Sequence, residues 1–83
     1  MKAFLAVVET PRGLWESTAS VCSGHEAEYR ARMTARLKFT VQCLPEFFKK
    51  GSDYLADAIW RHAQENGCRM IVREIDIETT PDQ

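Results

Sequence analysis

Hydrophobic and polar positions alternate most clearly in the middle of the chain. From 29 to 43 every odd position is apolar: Tyr29, Ala31, Met33, Ala35, Leu37, Phe39, Val41 and Cys43. Every even position is polar: Arg30, Arg32, Thr34, Arg36, Lys38, Thr40 and Gln42. Successive side chains of a strand point to opposite faces, so this pattern predicts one long strand. A competing reading starts from composition. Residues 26–37 are rich in Ala, Glu, Arg and Met, which favour helix, and Ser23 and Glu26 have capping-box spacing. That reading has a helix over about 24–35 feeding a strand over 36–43.

The flanking segments are simpler. The apolar run 3–8 predicts a short buried strand, ended by a Thr10-Pro11-Arg12-Gly13 turn. Residues 14–22 return as the second strand of a hairpin, and Ser23-Gly24 breaks it. Pro45 to Gly51 reads as one helical turn, with Pro at its first position. The main helix follows over 53–66, capped by Ser52 or Asp53 and stopped by Gly67. Its apolar stripe is Leu55, Ala56, Ile59, Trp60 and Ala63, with Asp57 and Arg61 paired on its outer side. A last strand over 69–78 begins Met70-Ile71-Val72, and 79–83 form a frayed tail.

The expected architecture is therefore α+β. A mostly antiparallel sheet of about four strands, in the order β-β-β-α-β, carries one main helix on one face. Eighty-three residues form a single domain, 1–83, with one core.

Charge changes the picture by its distribution. The net charge is −1, yet residues 27–50 carry six bases against two acids, and residues 51–83 carry three bases against seven acids. On a strand, Arg30, Arg32, Arg36 and Lys38 share one face, which makes them candidate partner-binding residues. Such a row can contact phosphates or fork onto carboxylates. Glu74, Asp76 and Glu78 share one face of the last strand. If the two strands are neighbours, the charges pair across them and no binding face is implied.

Other chemistry has weaker support. Cys22-x2-His25 has ligand spacing, and Cys43, His62 and Cys68 would complete a zinc site. Only one pair is close in sequence, and lone cysteines commonly act as small buried hydrophobes, so no metal is expected. No nucleophile, phosphate-loop or metalloprotease signature occurs, so neither an enzyme nor a cofactor is expected. Trp15, which opens a strand after a turn, is a candidate exposed anchor at an interface, as is one of Phe47 and Phe48. Three widely spaced cysteines and a leading apolar run of six residues point to a cytoplasmic protein with reduced thiols and no membrane association.

The sequence therefore reads as a small non-catalytic protein-binding domain, its partner a larger protein or nucleoprotein assembly. One concrete form is a phage or mobile-element inhibitor of a host nucleoprotein complex, of the anti-defence, anti-CRISPR-like kind. The alternative is direct nucleic-acid binding through the basic face. Homodimerisation through a long edge strand is a further possibility.

Overall fold

The computed structural model describes residues 2–47 and 55–76. Five elements follow in order: strands β1 (Lys2–Thr10) and β2 (Gly13–Ser23), helices α1 (Ala27–Phe47) and α2 (Leu55–Glu65), and strand β3 (Arg69–Asp76). The three strands form one antiparallel sheet in the order β2-β1-β3. The chain is thus an α+β fold, with β-β-α-α-β order among the described residues. Membrane crossing by a helix is not supported, since no described helix is long and apolar enough.

Both helices lie on one face of the sheet. Phe4 and Ala6 of β1, Cys22 of β2 and Val72 of β3 pack with Ala31 and Ala35 of α1. Further along, Val8, Trp15 and Met70 pack with Phe39 of α1 and Ile59 and Ala63 of α2. The alanines at 31 and 35 have no bulk to hold the helix away from the sheet, so α1 settles closely onto Ala6. Because strand side chains alternate, Ala3, Leu5 and Val7 face the other way. Ile75, Val21 with Arg73, and Ile71 lie beside them in register.

The hairpin turns on Pro11 and Arg12, between the paired residues Thr10 and Gly13. The Thr10 hydroxyl donates to the Gly13 carbonyl at 3.1 Å and accepts the Arg12 N–H at 3.1 Å. Further on, β2 bulges. Ala6 pairs with Ser20 and Val8 with Trp15, so Val7 alone on β1 lies opposite the whole stretch 16–19. An interrupted ladder leaves backbone groups without partners, and Thr18 supplies them. Its buried hydroxyl accepts the Val8 N–H at 2.9 Å and donates to the Trp15 carbonyl at 2.6 Å.

The long strand expected over 29–43 is instead part of α1, a helix of 21 residues. The alternative with a strand over 36–43 fails for the same reason, although its helical first half is correct. On a helix, residues i and i+2 lie about 200° apart, so period-two alternation along the chain also arises from two opposed apolar stripes. Ala27, Ala31, Ala35 and Phe39 are buried, while Tyr29, Met33, Leu37 and Val41 point outward. The capping box is also corrected. The Glu26 carbonyl accepts the Arg30 N–H at 2.9 Å, which places Glu26 itself at the cap, with a left-handed φ of 52°. The described residues consequently hold three strands rather than about four, and two helices rather than one.

Predicted and observed structure agree around α2, whose Ile59 and Ala63 are buried. Pro45 does not open a separate turn but lies within the last turn of α1; the side chains of Leu55 and Ala56, the caps Ser52 and Asp53, and the rest of the 45–51 turn beyond Phe47 lie outside the described residues. The expected pair of Asp57 with Arg61 is not formed; Asp57 pairs instead with Arg36 of α1. Helix α2 ends in a Schellman motif: Cys68 N–H donates to the Ala63 carbonyl at 2.9 Å and Gly67 N–H to the Gln64 carbonyl at 3.2 Å. Gly67 takes φ +93°, and a Cβ there would lie 3.1 Å from Pro11 Cγ in the hairpin turn. Gly67→Ala is therefore expected to cost about 1–2 kcal/mol, read as a lower urea midpoint. An unchanged midpoint would show that this turn relaxes freely.

Candidate binding surface

The four bases singled out in the sequence all lie on α1, but they do not share a face. Arg30 turns back to the loop before the helix, where Nε donates to the His25 carbonyl at 2.9 Å and Nη2 to the Ser23 carbonyl. Arg32 grips Glu28 one turn earlier, with Nε and Nη2 at 3.2 and 3.0 Å from one carboxylate oxygen. Arg36 pairs with Asp57 and so ties α1 to α2. Lys38 Nζ donates to the Ala19 carbonyl at 2.7 Å. Beside it, Gln42 Nε2 donates to the Ser17 carbonyl at 3.3 Å, while its Oε1 accepts the Ser17 hydroxyl at 2.6 Å. Lys38 and Gln42 thus hold the β2 bulge from outside, as Thr18 holds it from within.

The compensating acids come from Glu28 and Asp57 rather than from the last strand. β3 lies beside β1, where Glu74 meets Lys2 at 3.4 Å, and Glu78 lies outside the described residues. The expected ladder between bases and the β3 acids is not formed.

Trp15 is half-buried on the helix side of the sheet. Its ring meets Phe39 edge-on at 5.4 Å and 84°, and Trp60 meets the same ring at 5.4 Å and 82°. Phe39 is thus held between two indoles, an arrangement aromatic quadrupoles favour. Trp15 serves the core here. The side chains of Phe47 and Phe48 lie outside the described residues.

Most of the exposed apolar surface comes from residues the strand reading placed inside, although Leu14 and Val21 of β2 are also exposed. Tyr29 is 60% exposed, Met33 43%, Leu37 61% and Val41 54%. At i+4 spacing they form a continuous stripe along the outer side of α1. A one-stripe helix puts such residues inward, whereas α1 carries apolar groups on two sides. The signal for this was present in the sequence: Ala27, Ala31, Ala35 and Phe39 also recur at i+4.

Beside the stripe, a cleft of about 160 Å³ opens between the helices, lined by Met33, Arg36, Leu37, Thr40 and Asp57. Its wall is mainly apolar. Thr40 is 7% exposed, and its hydroxyl has no hydrogen-bond partner among the described residues. Leaving a buried hydroxyl unsatisfied costs about 1–3 kcal/mol. A second hollow, of about 300 Å³, lies at the hairpin turn and is lined by Thr10, Arg12, Gly13, Leu14 and Trp15. Its lining contains no carboxylate, imidazole or thiol.

The zinc candidates are dispersed. Cys22 packs against the Ala6–Ala31–Ala35 cluster, whereas Cys43 and Cys68 pack against the cluster around Phe39. His25 is exposed in the loop before α1, and His62 lies on α2, with Asn66 Nδ2 at 3.3 Å from its Nε2. Among the described residues no group of three or more His, Cys, Asp or Glu is placed to hold a metal ion.

The fold and surface define a small β-β-α-α-β domain with a two-sided helix. Comparison with known protein families, curated proteins and solved structures finds no match.

Proposed function

We propose that this chain is a non-catalytic protein-binding domain whose contact surface is the outer stripe of α1. The observation that carries the proposal is the row Tyr29, Met33, Leu37 and Val41, exposed in line on one rigid helix. Tyr and Met are enriched at protein interfaces, and an i+4 row is how one helix meets a groove or another helix. The other uncovered apolar surface, the back of the sheet, is less open. Ala3 and Val7 are already buried by their neighbours, and Leu5, Ile71 and Ile75 are half-buried, which leaves Val21 as a lone exposed apolar residue among them rather than part of a row.

Direct nucleic-acid binding draws less support. It needs Arg30, Arg32, Arg36 and Lys38 on one face, and α1 sends them to separate contacts. The partner-binding role proposed for the bases narrows to Arg32 and Arg36, which flank the stripe, and Trp15 is left out. The widely spaced cysteines support a cytoplasmic setting. The phage-inhibitor form of the reading gains nothing from the fold and is not carried further.

Leu37→Asp tests the proposal. The position is 61% exposed, so the domain should keep its fold and lose no more than about 0.5 kcal/mol. Partner retrieval from the source cells, with Val21→Asp on the sheet as control, should fail for Leu37→Asp and succeed for Val21→Asp. The reverse result, or equal retrieval by both variants, overturns the assignment.

A further inference from the structure

The two edges of the sheet are not alike. On β2, side chains of α1 take the carbonyls of three residues: Arg30 holds Ser23, Lys38 holds Ala19 and Gln42 holds Ser17. That edge is closed by the helix. Among the described residues no strand pairs with the outer edge of β3.

The direction of the open backbone groups follows from β1. Val8 N–H points to Thr18 of β2, and successive residues of a strand bond to opposite sides. Ala3, Leu5, Val7 and Glu9 therefore bond toward β3, where Ile75, Arg73, Ile71 and Arg69 lie opposite them. The residues between, Met70, Val72 and Glu74, turn their N–H and C=O groups outward. Such a row is a template for one further strand. β3 also lacks cover on both faces. In β1, Ala3, Ala6, Val7 and Val8 are buried, whereas no residue of β3 is. Met70 and Val72 on the helix side, and Ile71 and Ile75 on the back, are half-buried. An added strand would place side chains directly beside all four.

Charge selects among occupants. Glu9 engages Arg69, and Lys2 engages Glu74. Arg73 has no ion pair among the described residues. It stands on the back face between Ile71 and Ile75, opposite Leu5 of β1. This arrangement rejects a second copy. Two β3 strands related by a two-fold axis pair residues equidistant from their common centre. Centred on Ile71, Arg69 meets Arg73. Centred on Arg73 or on Glu74, that residue meets its own copy. Like charges directly opposite are destabilising. Centred on Val72, each Arg73 faces Ile71 and each Glu74 faces Met70, so the arginine gains no acid. A different strand, with a carboxylate opposite Arg73 and apolar residues two positions to either side, satisfies the charge and covers both isoleucines.

We infer that the outer edge of β3 adds an extended antiparallel segment of another protein, with an acidic residue opposite Arg73 between apolar ones. This surface is distinct from the α1 stripe, and either assignment can fail alone.

The probe is a capped peptide rich in valine and threonine with one central glutamate, titrated into the isotope-labelled full chain and followed by nuclear magnetic resonance. In the free chain the amides of Met70, Val72 and Glu74 should exchange rapidly, while those of Ile71 and Arg73 are protected. Saturating peptide should shift and protect the first three. Methylating alternate amide nitrogens of the peptide keeps its side chains, removes N–H donors and should abolish binding. Lysine in place of the glutamate should weaken binding by about tenfold, and Arg73→Glu, at an exposed position, should reverse that preference. Leu37→Asp should leave peptide binding unchanged. Equal binding of the methylated peptide overturns strand addition, and equal binding of the lysine peptide overturns the acidic partner. No shifts, or shifts confined to α1, overturn the site. Amides of Met70, Val72 and Glu74 that are already protected in the free chain also overturn it. Protection independent of concentration assigns the edge to this chain's own residues 77–83, and protection that rises with concentration assigns it to a second copy. If the peptide fails while Leu37→Asp still abolishes partner retrieval, the edge assignment falls and the α1 proposal stands.

Discussion

Phe39→Ala is expected to remove most of the domain's stability. Phe39 is 4% exposed and sits among Val8, Ile59 and Ala63, where α1, α2 and β1 meet. Truncating a buried Phe costs about 3–5 kcal/mol. An 83-residue domain has a total of roughly 4–12 kcal/mol at typical stability per residue. The loss also removes the ring that both Trp15 and Trp60 touch edge-on, so each indole loses a partner contributing about 0.5–1.5 kcal/mol. Urea unfolding followed by tryptophan fluorescence reads both effects. The midpoint should fall steeply, and the native emission should shift as water reaches the indoles. Phe39→Leu, which refills most of the space, should lie between the two. A variant that unfolds at the wild-type midpoint would remove Phe39 from the centre of the core.

The second large effect is expected at Thr18→Val. Valine has nearly the same shape, so packing is retained and only the hydroxyl is lost. That hydroxyl holds Val8 N–H and the Trp15 carbonyl, two backbone groups the bulge has separated from the ladder. Each buried group left unsatisfied costs about 1–3 kcal/mol, and water reaching the bulge offsets part of this, so roughly 2–4 kcal/mol is expected. Hydrogen exchange localises the damage: the Val8 amide should lose protection while Ala6 keeps its own. Thr18→Ser retains the hydroxyl and should recover most of the loss. A Val8 amide that stays protected in Thr18→Val would show that the bulge has another acceptor. The same substitution thus has opposite signs at two positions, destabilising at Thr18, whose hydroxyl is doubly engaged, and stabilising at Thr40, whose hydroxyl is engaged by nothing described.

The strands and α2 were legible because their local signals agree. The apolar run of β1, the Pro11–Gly13 turn and the Gly67 stop each have one physical interpretation. Helix α1 did not, because residue alternation carries no record of the angle between successive side chains. Phe39, Thr40 and Val41 favour strand by local preference, and their packing overrides it. Once the geometry is a helix, the basic row disperses and the outward apolar stripe replaces it as the notable surface. Thr40 could not be singled out at all, since an unsatisfied hydroxyl is a property of surroundings. The bulge was equally hidden, because Glu16 to Ala19 look like ordinary strand residues.

The strand order has a consequence for synthesis. β1 occupies the middle of the sheet, with Lys2 opposite Asp76 and Glu9 opposite Arg69. The hairpin and α1 are complete once Phe47 has been made, but the other edge of β1 stays open until β3 follows. At about 5–20 residues per second, that interval lasts roughly 1.5–6 s, with the central ladder of the sheet exposed to any neighbouring nascent chain. An unpaired strand edge is a ready template for another chain, so this interval is the stage at which the central strand is least protected.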